Sequence, residues 1–232
     1  MMESRPLPLI SVIITVYDCA RYLAEAIDSV LRQTYRPVEL VVVDDGSEDG
    51  SGELARRFLP ALRYVYHLHE GMGAARNRGV ALAQGTFLAF LDADDLFPLD
   101  RLARQMAAFM RDPALETVYG HVREFLSPDL DPAAAKRLRP AAERITGRLA
   151  GALLIKKAAF LRVGLFNTTL KVGIGMDWSA RASEQKLKSL MLPEIVMERR
   201  LHRENNGLRE KEWRNQYVLV LKAALDRRRA MK

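Results

Sequence analysis

The chain has 232 residues, is 49% apolar and 28% charged, and carries a formal charge of +7; that length buries a real core, and the composition excludes wholesale disorder, collagen and low-complexity repeats. A single cysteine, Cys19, excludes an intrachain disulfide framework and a four-thiolate metal site. No apolar run reaches the roughly 18 residues of a membrane span, and the N-terminus lacks a cleavable-leader pattern, so the expected setting is the reducing cytoplasm.

Leu9–Val16 is a β-branched run bounded by prolines and Asp18, which predicts a buried strand. Ala20–Gln33 places Leu23, Ile27, Val30 and Leu31 on one helical face. Glu39–Val43 predicts a second strand, ended by the loop Asp44-Asp45-Gly46-Ser47, and Ser51–Phe58 a second helix. Leu62–His67 is a third, weaker strand, followed by a flexible Gly71–Gly73 turn and a helix over Ala74–Ala83. Thr86–Leu91 predicts a fourth strand, stopped by Asp92-Ala93-Asp94-Asp95, with a helix over Leu99–Met110 after it. Continuous apolar strands alternating with amphipathic helices indicate a largely parallel sheet covered on both faces.

The second half is less regular. Thr117–Phe125 predicts a strand, Ser127–Arg148 a surface helix or loop, Leu149–Ile155 a strand, and Lys156–Val163 a short helix. Asp177–Lys188 predicts a helix, Pro193–Met197 a last strand, and Trp213–Arg229 an amphipathic helix with Trp213, Tyr217, Val220, Leu221 and Leu225 on one face. Residues 1–198 carry 25 basic and 25 acidic side chains, whereas residues 199–232 carry 11 and 4, so the net excess is C-terminal. Such a tail suits anionic lipid, a phosphorylated substrate or plain solvation. Nucleic acid is not expected, because basic–aromatic interleaving and zinc-finger spacing are both missing.

In an open parallel sheet the loops after Thr15, Asp44 and Asp92 fall on one carboxyl edge, where ligands bind. Asp18, Asp44, Asp45, Asp92, Asp94 and Asp95 all converge there, and their repulsion calls for a positive group among them. A hard divalent cation would accept carboxylate oxygens and leave positions for phosphate oxygens. The Asp-x-Asp spacing of Asp92 and Asp94 suits this if the segment is extended, since alternate residues then share a face. Gly73-Ala-Ala-Arg-Asn-Arg-Gly79 allows close approach, either of a ligand or of a packed helix, and Arg76 reaches a carboxylate or a phosphate. His67 and His69 are expected at the surface, His121 in a structural role, and Cys19 as inert filler.

These residues resemble the family 2 glycosyltransferases. Ser11-Val-Ile-Ile-Thr-Val-Tyr-Asp18 looks like that family's first strand and nucleotide loop. Val43-Asp-Asp-Gly-Ser47, Gly73–Gly79 and Leu91-Asp-Ala-Asp-Asp95 look like its next three blocks. The resemblance implies a GT-A fold: α/β, with a mostly parallel central sheet flanked by helices. It implies one domain over 1–232, with a nucleotide-sugar-binding half over 9–111, an acceptor half over 112–205 and a basic amphipathic helix over 206–232. It further implies a donor site of Thr15, Tyr17, Asp45, Arg76 and Asp92, with Asp45 accepting from an imide N–H if the base is uracil. Asp94 would hold Mn²⁺ or Mg²⁺, joined in some members by a histidine matched here by His202.

Met176-Asp177 stands where the family usually has Glu-Asp, so Asp177 takes the place of the general base of inverting members. Its competing role is a helix N-cap. Trp178 is placed to stack on an acceptor sugar or to pack in the core. The implied activity is inverting, metal-dependent transfer of a sugar from a nucleoside diphosphate donor to the hydroxyl of a saccharide or glycoconjugate. A homodimer and a peripheral membrane contact through the basic tail stay open. The alternatives are a non-catalytic nucleotide-sugar-binding protein, favoured by Met176, and a nucleotidyltransferase. The latter would want a Gly-rich basic loop where Thr15–Cys19 stand.

Overall fold

The computed structural model describes residues 6–140, 144–146, 148–205, 213 and 215–230. Strand β1 (Ile10–Val16) is buried along its whole length. Its side chains divide by parity, as a strand requires. Ile10, Val12, Ile14 and Val16 meet Leu23, Ala26, Ile27 and Val30 of α1 (Ala20–Leu31) on one face. Ile13 joins Ala75 and Val80 of α3 (Met72–Leu82) on the other. Both faces are covered, and so β2 (Val38–Asp44) and β4 (Phe87–Asp92) are also continuous apolar runs.

The sheet has seven strands in the order β3-β2-β1-β4-β6-β5-β7, with β3 (Arg63–Tyr66), β5 (Thr117–Leu126), β6 (Leu154–Lys156) and β7 (Ser189–Leu201). Only the pairings of β6, with β4 and with β5, are antiparallel. The other pairings are parallel, so β1, β2, β4, β5 and β7 all end on one edge. Register ties Thr15 to Asp92 and Val16 to Asp44 on that edge. The chain order reverses direction between β1 and its neighbours β2 and β4, which opens a crevice there. α2 (Ser51–Arg56) and α4 (Arg101–Arg111) pack on the α1 face, and α6 (Lys157–Val163) and α7 (Ile174–Glu184) on the α3 face.

Gly79 shows how closely α3 lies on the sheet: a Cβ there would stand 2.4 Å from Cγ2 of Ile13. The small residues of Gly73–Gly79 thus serve helix packing, the second of the two roles expected for them.

Ser127–Arg148, expected as a surface helix or loop, holds a described helix at α5 (Pro132–Arg137), and Ile145 bridges to Val122. The rest of the second half departs from expectation in three places. The strand expected over Leu149–Ile155 divides into a 3₁₀ turn, Ala150–Ala152, and the short β6. Buried Arg101 compels this, because its guanidinium takes the carbonyls of Gly151 at 2.6 Å and Leu153 at 3.1 Å. β7 runs well beyond the expected Pro193–Met197. Its register with β5 slips between Tyr119–Met191 and His121–Ile195, and Pro193 sits in that irregularity, where a missing N–H costs nothing in the ladder.

The last helix, α8 (Asn215–Ala230), turns differently from the expected face. Val220 and Ala224 are its buried residues, while Trp213, Tyr217, Leu221 and Leu225 are exposed. Gln216 fixes the reason: its side-chain oxygen accepts the N–H groups of Lys171 and Val172, seating that face on the loop before α7. The rest of the 206–232 segment (206–212, 214 and 231–232) lies outside the described residues.

Candidate active site

Each loop at the crevice is fastened by its own polar residues. Asp18 donates its N–H to Ser47 Oγ (3.0 Å) and accepts the Glu48 N–H at its carboxylate (2.9 Å). Asp44, almost wholly buried, accepts from Tyr64 Oη (2.7 Å) and the Ser47 N–H (2.8 Å). These two carboxylates hold the loops and leave little to offer a ligand.

Asp45 is 2% exposed, and its oxygens accept the N–H groups of Glu70 (3.0 Å) and Gly71 (2.9 Å). Its main observed task is to anchor the loop after β3. His67, expected at the surface, is buried, whereas His69 is exposed as expected; both contact Asp45, at 3.4 and 3.0 Å. The signal was available: β3 is parallel to β2, so residues following it reach the same edge. The His67 contact is an ion-pair distance without hydrogen-bond geometry at Nε2; its Nδ1 lies 2.7 Å from the Leu68 carbonyl oxygen. The Tyr17 ring, half exposed, lies 4.1 Å from that of His69. Tyr17 and His69 therefore form an accessible aromatic surface above Asp45. Thr15 is buried beside Asp92 in the ladder.

Asp92, Asp94 and Asp95 do not lie on an extended segment. The Asp95 N–H donates to the Asp92 carbonyl (3.1 Å), closing a turn. Asp92 and Asp94 consequently reach different partners. Asp92 Oδ1 accepts from Arg76 Nη2 at 2.6 Å, and the Arg76 guanidinium, nearly buried, lies over the Phe166 ring. Asp94 Oδ2 meets His202 Nε2 at 2.9 Å and accepts from Asn205 Nδ2 at 3.2 Å. Buried Asp95 accepts the Arg200 N–H at 2.9 Å; burial first, and then the Asp94 and Asp92 charges, raise its carboxyl well above the usual range. Burial and the charges of Asp94, Asp49 and Asp92 also push the Cys19 thiol up to about 12, so it is no nucleophile.

The position of His202 follows from β7. That strand ends at Leu201 on the carboxyl edge, and reciprocal Leu96–Glu198 backbone bonds of 2.9 Å pull it against the Asp92–Asp95 turn. The site also contains two residues that the sequence reading missed. Arg200 is fully buried; its Nε donates to the Asp94 carbonyl (3.0 Å) and its Nη2 to Glu25 (2.7 Å). The Tyr22 ring lies 4.7 Å from that of His202 and under the Arg200 guanidinium. The positive charge demanded by the clustered carboxylates is thus supplied in part by Arg76 and Arg200. For Arg200 the available signal was the Arg199-Arg200 pair shortly after the apolar Ile195–Met197 stretch of that strand.

Among the described residues no three His, Cys, Asp or Glu side chains are arranged to cage a metal ion. Asp94 and His202 are a two-residue donor set, and Oδ1 of Asp94 accepts no hydrogen bond among the described residues. One or two side chains plus phosphate oxygens is the usual protein share at Mg²⁺–nucleotide sites. The residues present therefore fit a divalent cation bound together with a diphosphate.

Asp177 lies in the first turn of α7, and Gly173, not Asp177, is the N-cap. Its side chain is 8% exposed and contacts Arg181 Nε at 3.0 Å and Arg227 Nη1 at 3.8 Å. Trp178 corrects the acceptor expectation. It is 1% exposed, stacks on Phe160 with centroids 5.0 Å apart, and donates Nε1–H to the Gly164 carbonyl, so its ring faces the core.

Residues 11–167 match the model for Glycosyl transferase family 2. An uncharacterized glycosyltransferase of Rickettsia typhi is 32% identical over 182 residues, 74% of this chain and 57% of that protein. Glycosyltransferase GlyG of Streptococcus pneumoniae is 33% identical over 120 residues, 50% of this chain and 36% of that one. The chain thus spans about half or less of the length of these curated relatives. S. aureus TarS 1–349 in complex with UDP superposes with a TM-score of 0.68 at 20% identity, covering 84% of this chain and 61% of that one. The mannosyltransferase PcManGT of Pyrobaculum calidifontis, in complex with GDP-Man and Mn²⁺, gives 0.65 at 24% identity, covering 86% and 59%. At those identities the structural likeness speaks for the fold alone. Taken with the match over most of its length, it places this chain in glycosyl transferase family 2, on a GT-A fold.

Proposed function

We propose that the chain is a metal-dependent, inverting glycosyltransferase that moves one sugar from a nucleoside diphosphate donor to an acceptor hydroxyl. The carrying observation is the meeting of Asp94, His202 and Asn205, within 3.2 Å, beside an Asp92 already neutralised by Arg76. Tyr17 and His69 offer the base a stacking surface, and Thr15 and Asp92 border the ribose or donor sugar. We take uracil as the base, since Oδ1 of Asp45 keeps a lone pair when Glu70, Gly71 and His69 have taken theirs, and an imide N–H is a donor. Mn²⁺ or Mg²⁺, held by Asp94 and His202, would offset charge on the departing diphosphate. Asp177 takes the acceptor proton, in a state where Arg227, its longer contact, has given way. A second reading rests on the same contacts: Asp177 ties α7 to α8 through Arg227, is held on α7 by Arg181, and has no part in turnover.

Thermal shift against nucleoside diphosphates tests the donor site. UDP with Mn²⁺ is expected to raise the parent's Tm, and Asp94→Ala to abolish the Mn²⁺-dependent part. Stabilisation unchanged by chelator and by D94A would refute the metal assignment.

The outward face of α8 carries Val218, Leu221 and Leu225, flanked by Lys222, Arg228 and Arg229. Apolar residues bordered by cations suit an anionic lipid surface, although no described helix is long and apolar enough to cross a membrane. Co-flotation with phosphatidylglycerol vesicles, but not with phosphatidylcholine alone, is expected and is lost in L221E/L225E. Equal flotation of parent and variant would dismiss this contact.

A further inference from the structure

Two clefts lie beside the β5–β7 edge, and their charges differ. The larger, about 650 Å³, is lined by Arg104, Arg123 and Arg144 but equally by Asp100, Glu194 and Glu198. Its charges pair internally, Arg104 with Asp100 at 2.6 Å and Arg123 with Glu198, which leaves little to attract an ion. The smaller, about 310 Å³, is lined by Arg137, Arg139 and Arg199, by Leu138, Leu201 and Asn205, and by one carboxylate, Glu124. Glu124 contacts Arg199 at 3.4 Å. Arg137 and Arg139 meet no carboxylate among the described residues. Three guanidiniums and one carboxylate give this cleft a net positive field in a confined volume.

We infer that the smaller cleft seats an anionic group, a phosphate monoester or diester, carried by the acceptor. The inference rests on the glycosyltransferase reading and names the acceptor's class. Asn205 links the cleft to the chemistry: it lines the cleft, and its Nδ2 donates to Asp94 Oδ2. An anion there is one side chain away from the proposed metal ligand. The cleft lies on the β5–β7 side of Asp94, whereas Tyr17, His69 and Asp45 lie on the β2–β3 side, at the other end of the strand order. A diphosphate held at Asp94 therefore separates the base from the cleft. The guanidinium fork matches the geometry of phosphate oxygens, and Leu138 and Leu201 give the organic part of the acceptor an apolar wall.

The test is calorimetric titration of glycerol 3-phosphate into protein preloaded with UDP and Mn²⁺. Inorganic phosphate and glycerol are titrated in parallel, to separate an ester from the free ion and from the polyol. Glycerol 3-phosphate is expected to bind, glycerol to give no heat, and added salt to weaken the binding. Arg137→Gln with Arg139→Gln is expected to weaken it at least about tenfold, as the loss of a charged hydrogen bond implies, with UDP affinity unchanged. Both arginines are exposed, so the variant keeps the packing of the core. Four results overturn the inference: no binding to the preloaded parent, equal binding to the double variant, preference for inorganic phosphate over the ester, or displacement by UDP. Displacement would make the cleft part of the donor's own phosphate site. If UDP and Mn²⁺ themselves fail to bind, the glycosyltransferase reading falls first, and the acceptor class with it.

Discussion

The half of the chain up to α4 and the half after it build the same crevice by different means. In the first half a candidate site residue sits one or two positions beyond a strand end, and groups of the adjoining loop hold it, as the Glu70 and Gly71 N–H groups hold Asp45. In the second half the corresponding residues are placed by contacts across long sequence separations. His202 reaches Asp94 because β7 pairs with β5 and is pinned to Leu96. Asp177 is reached by Arg227 of α8, far along the chain, although Arg181 of its own helix also holds it locally. Local positioning tolerates change elsewhere, whereas long-range positioning transmits it.

The largest effect expected from this contrast is at Asp177. Asp177→Asn is expected to lower kcat by about 10²–10⁴, the range for loss of a general base, with UDP affinity intact. A lower Tm with turnover retained would instead make Asp177 a tie between α7 and α8. Next comes Trp178→Ala, which removes the ring stacked on Phe160 and orphans the Gly164 carbonyl. The expected loss is about 3–5 kcal/mol in chemical denaturation. Because Trp178 adjoins Asp177 on α7, donor binding should outlast transfer as the variant is warmed. Loss of both at one temperature would show that the two halves unfold together. The smallest effect is expected in the first half. Gly79→Ala drives a methyl into Ile13 and should cost about 1–3 kcal/mol. Ile13→Ala in the same chain removes the clashing Cγ2, so the two substitutions together should cost less than the sum of their separate losses. Strictly additive losses would place the strain in the backbone of α3.

How much of this was legible from sequence also follows the division. Val16, Asp44 and Asp92 stand at the ends of apolar runs, and parallel pairing alone brings them to one edge. Arg76 was readable as a cation near carboxylates, and it holds Asp92. The details that failed were those set by neighbours. Asp92 and Asp94 look like alternate residues of a strand, but one backbone bond from Asp95 closes them into a turn. Trp178 is equally suited by type to a sugar face or to a core, and the aromatic cluster with Phe160, Phe90 and Phe166 decided for the core. The face of α8 was misread because its periodicity allowed more than one stripe, and Gln216 selected which one packs.

By itself the amino-acid sequence determined the class of fold, the carboxyl edge on which the candidate site's loops gather, and the residues that follow β1, β2 and β4. Alternation of apolar runs with amphipathic helices carries that information locally. Only tertiary structure decided that His202, Asn205 and buried Arg200 complete the Asp94 environment, and that Arg137 and Arg139 open beside it. Those meetings depend on strand order and on a β7 register broken around Pro193, and pairing across so many residues leaves no periodic mark in the chain.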